Sequence, residues 1–408
     1  MSRVIFVNRF YWPEEPATAQ LLTDLAEALA AAGWNVVVIT SRPRNPTVAR
    51  REMRNGVCIQ RLASARWSNW RLVGKAVDYV SFLLAASFRL LWIADRQTLV
   101  VLMTDPPLLS IGGAIACRVK RARHIQWIQD IYPEIAMELS NQRWLRVLRP
   151  LRDASWRAAA ACVTLGNAMA GVVRRARVIE SRIHTIPNWA PAGVGPAPPT
   201  DIERLRTHWD LAGKFVIGYS GNFGRVHELG SVLDIADALR TADEFVFLLV
   251  GNGPQRSALE GEAKRRGLTN IKFLSSRPRA ELACSLCVPD VHLVTLRSGC
   301  DGFVFPSKLY GVAAVAKPIV FLGPRDSEIA ALIQQHQLGV ALPNGASAAA
   351  AQQLQELRRN PQLLARFAQS AARFHTAHTV ATATKRWLTL LNNLTSRSAP
   401  AVPATPAA

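Results

Sequence analysis

The sequence predicts an α/β chain of two doubly wound, parallel-sheet halves joined by a linker. Three observations carry this expectation. Apolar runs of strand length alternate with helical stretches through both halves of the chain. A Pro/Gly-rich connector, PNWAPAGVGPAPPT (187–200), separates the two series. The length of 408 residues exceeds a single small core and suits two domains of roughly 200 residues each.

The elements follow in order. VIFVNRF (4–10) is an apolar run that enters a Pro-rich loop. A helical stretch from Thr18 to Ala32 comes next, and Gly33 ends it. WNVVVIT (34–40) completes a βαβ unit, and TLVVLMT (98–104), HIQWIQD (124–130) and AACVTL (160–165) read as further buried strands. After the connector, KFVIGYSG (214–221) leads through a glycine turn to a helix near 229–240. FVFLLVGNGP (245–254) repeats that scheme, and IKFL, PDVHLVTL and KPIVFLG continue it. Residues 346–395 read as Ala-, Gln- and Leu-rich helices. The expected domains are 1–190, a linker 191–210, 211–375, a C-terminal helix 376–395 returning toward the first domain, and a disordered Pro/Ala tail 396–408. Ligands of such sheets sit at the carboxyl ends of strands, in the cleft between the halves.

The chain carries a formal charge of +20, of which residues 1–190 hold +13 and the remainder +7. That asymmetry favours an anionic partner of the first half. SRVIFVNRF runs directly into a strand pattern, so no leader peptide is expected. Six scattered cysteines predict a reducing compartment, and Cys284 and Cys287 read as small residues of a helix rather than a zinc half-site. VDYVSFLLAASFRLLWIA (77–94) is apolar but interrupted by Asp78 and Arg89, which argues against a membrane span. Residues 40–75 hold nine basic side chains and one acid, Glu52, with Trp67 and Trp70 among them. Arg143, Arg146, Arg149 and Arg152 recur beside Trp144, which reads as an amphipathic, Arg-rich face suited to lipid headgroups.

Two motifs carry the chemistry. GYSGNFGR (218–225) follows a buried strand and opens a helix, so its backbone N–H groups suit a phosphate and Arg225 suits its charge. It is neither a dinucleotide fingerprint nor a P-loop. In SGCDGFVFPSKLYGVAAVAKP (298–318), Pro306-Ser307-Lys308 marks a helix start, with Ser307 as its expected cap. A lysine there is disfavoured by the helix dipole unless an anion joins it. Together the two motifs predict a diphosphate clamp.

The ordered set YWPEEPATAQLLTDLAEAL (11–29), TDPPLLS (104–110), QDIYPE (129–134), IPNW (186–189), GNFGRVHELGSVLDIA (221–236), VGNGP (250–254) and PSKLYGVAAVAKP (306–318) resembles the retaining family-4 glycosyltransferases. Their fold is GT-B, two Rossmann-like domains facing a cleft. The resemblance covers roughly 1–390 and is strongest to the bacterial O-antigen and capsule branch, N-acetylfucosamine transferase type. It implies a sugar nucleotide on the C-terminal domain, with UDP the favoured base, and an acceptor on the N-terminal domain. Gly221 and Asn222 then lie at the diphosphate turn and Ser307 and Lys308 near the donor phosphates. Arg277 falls on the nucleobase loop, Thr18 on the loop closing over the donor, and Asp130 facing the sugar. Two glutamates common in the family are replaced by Phe303 and Gly311, which leaves Asp301 as a candidate contact to donor hydroxyls.

Breaking the anomeric C–O bond puts charge on the leaving diphosphate, which preorganised donors and cations stabilise. The chain contains no Asp-x-Asp, so no metal is expected, and Arg225 with Lys308 would serve instead. No cofactor beyond the donor is implied. The expected setting is cytoplasmic, peripheral on the inner face of the inner membrane, with a lipid-linked or oligosaccharide acceptor. UDP-sugar 2-epimerases share this fold but need a set of acid/base carboxylates in the cleft. A nucleic-acid-binding protein of this charge would carry a recognition motif that is missing here.

Overall fold

The computed structural model describes residues 2–43, 45, 47–65 and 71–396. The first half runs β1 (Arg3–Val7), α1 (Ala17–Ala31), β2 (Asn35–Ser41), β3 (Arg51–Arg54), β4 (Val57–Leu62), α2 (Arg71–Ile93), β5 (Thr98–Leu102), α3 (Leu109–Lys120), β6 (Arg123–Trp127) and α4 (Glu134–Ser140). A 3-10 turn, Arg143–Leu148, leads into α5 (Arg149–Ala158), followed by β7 (Ala161–Thr164), α6 (Asn167–Arg175) and β8 (Ile183–Thr185). Its strands order as β3-β4-β2-β1-β5-β6-β7-β8. All pairs are parallel except β3 with β4. That hairpin turns at Asn55-Gly56, where both residues have positive φ.

The second half contains α7 (Pro199–His208), β9 (Phe215–Ser220), α8 (Gly230–Ala238), β10 (Phe245–Val250), α9 (Arg256–Arg265), β11 (Ile271–Leu274), α10 (Arg279–Cys287) and β12 (Val291–Thr295). It continues with α11 (Lys308–Ala314), β13 (Ile319–Leu322), α12 (Glu328–Gln335), β14 (Gly339–Leu342), α13 (Ser347–Arg359), α14 (Pro361–Thr376) and α15 (Val380–Ser396). Its strand order is β11-β10-β9-β12-β13-β14, all parallel. The order reverses beside β1 in one sheet and beside β9 in the other. At such points the loops after neighbouring strands diverge and leave a crevice.

Strand sequences such as NVVVITS and FVFLLV are apolar on both sides because helices cover both sheet faces. Phe82, Ala86 and Leu90 of α2 and Leu109 and Cys117 of α3 cover one face of the first sheet. On the other face, α1 packs beside α15, the last helix of the chain. Trp387 of α15 sits 5.0 Å from the Trp127 ring and 6.4 Å from Phe6, so the C-terminus is tied into the first domain's core.

Three local expectations are corrected. The segment 191–210 is not a bare linker, because it holds α7, whose Arg206 pairs with Asp290 at 2.6 Å. The Arg-rich face of 143–152 is split. Arg152 is buried, donates to both oxygens of Glu134 at 2.9 Å and lies 3.9 Å over the Trp156 ring. Burying that carboxylate requires a fixed cation, so Arg152 faces inward while Arg143 and Arg146 remain exposed. Ser307 has helical backbone angles and its hydroxyl makes no cap bond, since capping requires an extended residue. Trp67, Trp70 and the 397–408 portion of the tail lie outside the described residues.

Candidate functional site

A cleft of about 660 Å³ opens between the carboxyl ends of the two sheets. On the first domain's side it is walled by the loop into α1 and that helix's first turn, including Thr18, and by Trp189 and Pro191. On the second domain's side lie Gly221 and Asn222 after β9, Gly251 and Asn252 after β10, and Arg277 after β11. Ser307 and Lys308, at the start of α11, close its floor. Six residues singled out from the sequence, Thr18, Gly221, Asn222, Arg277, Ser307 and Lys308, therefore share one cavity.

Glycine is required where two turns nest. Gly221 has φ 137°, and a Cβ there would stand 2.4 Å from Cε of Lys308. Gly251 has φ 149°, and its Cβ would meet the Gly221 carbonyl at 2.0 Å. Both positions exclude side chains so that backbone lies open to the cleft beside a cation.

Lys308 is the most unusual group in the cleft. Its Nζ stands 2.8 Å from Nε2 of His227 and 4.7 Å from the Tyr219 ring centre. Burial pushes its amine down to about 7. His227 Nδ1 lies 2.8 Å from the Thr295 carbonyl, so that nitrogen carries the proton and Nε2 accepts from the lysine. Burial first, and the lysine second, push the imidazole down to about 3, so it stays neutral. The ammonium thus has a neutral acceptor and an aromatic face around it, and its remaining N–H groups suit an anion in the cleft.

Arg277 donates through Nε to Glu281 at 3.0 Å and lies over the Trp209 ring at 5.9 Å, a flat wall suited to a planar ligand. Arg279, two residues on, crosses the cleft to Asp24 of α1 at 2.7 Å. Asp24 also accepts from the Ala192 N–H at 3.0 Å, so one buried carboxylate clasps both domains and the connector. A second crossing lies behind the cleft. Glu328 of α12 accepts from the N–H groups of Asn167 and Ala168 at 2.8 and 2.9 Å, capping α6 from the opposite domain.

Three sequence candidates fall outside the cleft lining. Arg225 is exposed, because the chain turns away from the cleft after Phe223 packs into the core. Asp301 sits in the seam between domains, where burial and then the Glu328 charge raise its carboxyl. Neighbouring Gly302 rests on Ala168 there. Asp130 lies at the end of β6, in a bridge to Val304 of the other domain. The Ile131 N–H donates to the Phe303 carbonyl at 2.9 Å alongside it. Phe303 packs against the core, and Gly311 lines the cleft.

Asp130 has company that the sequence did not reveal. Thr104 Oγ1 accepts from its N–H at 3.2 Å, bringing the ends of β5 and β6 together. Burial, then the Asp105 charge, pushes Asp130 up to about 7. Burial raises Asp105 to about 6 despite Arg9. Glu14, on the loop into α1, is raised to about 7 by burial, with Arg9 opposing. Carboxyls at the ends of adjacent strands thus hold protons near neutrality and titrate as a coupled set.

The comparisons with known proteins agree with this geometry. Residues 18–189 match the family described as Glycosyl transferase 4-like domain, and residues 214–360 match Glycosyl transferases group 1. The chain is a glycosyltransferase of GT-B fold. The transferase is 27% identical over 347 residues to WcaI of Escherichia coli (strain K12), named for colanic acid biosynthesis, spanning 79% of this chain and 84% of that one. It is 24% identical over 292 residues to WbjE of Pseudomonas aeruginosa, named as a glycosyltransferase, with 70% and 72% covered. The crystal structure of Anabaena Alr3699/HepE in complex with UDP and glucose superposes with a TM-score of 0.76 at 16% identity, over 96% of this chain and 100% of that one.

Proposed function

We propose that the transferase moves a sugar, with retained anomeric configuration and without a metal ion, from a UDP-sugar to a lipid-linked saccharide acceptor. The product belongs to a cell-surface polysaccharide. The observation that carries this reading is Lys308, a half-buried amine whose partners among the described residues are neutral, beside a turn made bare by Gly221. The HepE complexes with UDP and the colanic acid relative supply the nucleotide and the polysaccharide setting.

In this mechanism the donor's diphosphate lies against the Gly221–Asn222 turn, the Ser307 hydroxyl and the Lys308 ammonium. As the anomeric bond breaks, negative charge grows on the β-phosphate, and these preorganised groups stabilise it in a dry site. His227 holds the ammonium in place and stays neutral, so it does not compete with the phosphate for charge. The nucleobase packs along the Arg277 wall. Asp130, when ionised, stabilises positive charge developing on the sugar, and burial, with the Asp105 charge adding to it, sets the pH at which it ionises. Arg225 and Asp301 have no place in this scheme. The family's N-acetylfucosamine specificity is retained as the donor to test first.

The +13 charge of residues 1–190 supports a peripheral location on the inner face of the inner membrane, where a lipid-linked acceptor is met. The test is calorimetric titration with UDP, GDP and TDP. Tight binding of UDP alone agrees with the reading, and preference for another base overturns the donor assignment.

A further inference from the structure

A helix packed on one side against a sheet normally turns charge toward water. α2 does not. Among the described side chains of α2, the exposed positions recur every fourth residue, at Ala76, Val80, Leu84, Phe88 and Trp92, and none of these carries charge. The opposite ridge, Phe82, Ala86 and Leu90, is buried on the sheet. The helix is therefore apolar on both sides, and Ala76–Ile93 is by length and composition long and apolar enough to cross a membrane, while its Phe82–Leu90 ridge packs on the sheet. From Val80 to Trp92 the outer ridge runs about 18 Å.

The neighbouring helices extend it. α3 packs against α2, with Gly112 admitting Leu83 and Ser87 of α2 so closely that a Cβ would overlap them, and α5 packs against α3. Ile115 and Val119 of α3 are exposed, as are Trp144 and Val147 of the 3-10 turn and Leu151 of α5. Among the described residues, eleven large hydrophobic side chains are strongly exposed. Nine of them lie on these three helices and the turn, and none lies in the second domain. Trp92 is 82% exposed and Phe88 62%. Such concentration marks an interaction face, since scattered exposed apolar residues would spread over both domains. Exposed Arg118, Arg121, Arg143 and Arg146 stand among these side chains, so the face is apolar with basic groups beside it. That composition complements an anionic lipid leaflet, whose headgroups meet the arginines while the ridge enters the acyl boundary.

We propose that α2, α3 and the segment Arg143–Ala158 form a membrane-docking face that inserts the Val80–Trp92 ridge into an anionic leaflet. This rests on the peripheral location argued above and specifies both the surface and the mode, insertion in addition to charge attraction. The ridge begins beside the carboxyl set. Tyr79 precedes Val80, lies 4.7 Å from the Arg9 guanidinium, and feels the Asp105 charge. A saccharide on a lipid held at the ridge would therefore be brought to the side of the domain that holds Asp105 and Asp130.

The experiment is vesicle co-sedimentation of the full chain with phosphatidylglycerol-containing and pure phosphatidylcholine vesicles, at about 0.1 M and about 1 M salt. The wild type is expected to pellet with anionic vesicles and to retain measurable binding at high salt. The double variant Phe88→Gln/Trp92→Gln should lose at least tenfold in partition, whereas Met53→Gln/Ile179→Gln, on exposed residues elsewhere, should not. Unchanged UDP affinity in both variants verifies the fold. Wild-type-like pelleting of the ridge variant, abolished by salt, would overturn the face while leaving the membrane location standing. Absence of wild-type pelleting would overturn both, without touching the donor assignment. A dimer in sedimentation velocity that the ridge variant abolishes, with vesicle binding unchanged, would assign the ridge to a second copy of the chain and refute the proposal.

Discussion

Replacing Lys308 with methionine keeps most of the length of the side chain and removes the cation on the cleft floor opposite Gly221. A hydrogen bond from an ammonium to phosphate is worth about 1.5–3 kcal/mol, which weakens donor binding about 10- to 150-fold. The structure adds a pH signature. The free amine titrates near 7 because burial disfavours its charge. A bound diphosphate favours the charged form, so binding takes up a proton between that value and the raised pKa of the amine in the complex. Affinity is then flat below pH 7 and falls as pH rises, by up to about tenfold per unit. His227 adds nothing in this range, since its ring is held at about 3. Calorimetry with UDP-glucose, a diester that does not itself titrate there, measures the affinity and, in buffers of different ionisation enthalpy, the protons taken up. The wild type should show uptake near pH 8 and Lys308→Met none, with a flat profile. Equal affinities in the two proteins, or a pH-independent wild type, would refute the placement of the diphosphate against Lys308.

Asp130→Asn should preserve donor affinity and lower kcat. Because burial and Asp105 push the Asp130 carboxyl up to about 7, wild-type kcat should rise with pH through that value and the variant's should not. Gly221→Ala forces an L residue to φ 137° and drives a methyl into the Lys308 stem, so it should lower stability by about 1–3 kcal/mol in urea unfolding and also weaken donor binding. Asp24→Ala removes the clasp to Arg279 and Ala192. Arg279 is one-third exposed, so screening limits the loss to about 1–2 kcal/mol, with a larger domain separation in solution scattering.

Much of the fold was legible because buried parallel strands write themselves as apolar runs. The ten strands and α1 and α8 that the sequence indicated are present, starting within two residues of the expected positions and ending within four. β3 and β4 were missed although Asn55-Gly56 is a hairpin signal, because REMR is polar and forms an edge. β8 and β14 are short and only half-buried, which leaves little pattern to read. In the cleft, the glycine turn and Lys308 were legible as local motifs. The partners that give them their chemistry were not. His227 meets Lys308 across 81 residues, and Arg279 meets Asp24 across 255. The Asp105–Asp130 set arises because β5 and β6 are neighbours in the sheet. Arg225 was misplaced for the converse reason. It is close to the glycine turn in sequence, but Phe223 anchors the chain in between and turns the arginine to solvent. The membrane face was inferred from Trp144 and the basic segments. The α2 ridge needed the structure, since its apolar residues read equally well as core.

The most direct measurement is transfer itself. The chain is incubated with isotope-labelled UDP-sugars, UDP-N-acetylfucosamine first, and membranes carrying lipid-linked saccharides. Organic-extractable label is counted, and the new linkage is read by the anomeric proton coupling. Label is expected in the lipid fraction from a UDP-sugar, with an anomeric configuration identical to the donor's, and that product should be lost with Lys308→Met. Transfer with inverted configuration, or transfer from a GDP- or TDP-sugar and none from any UDP-sugar, would contradict that expectation.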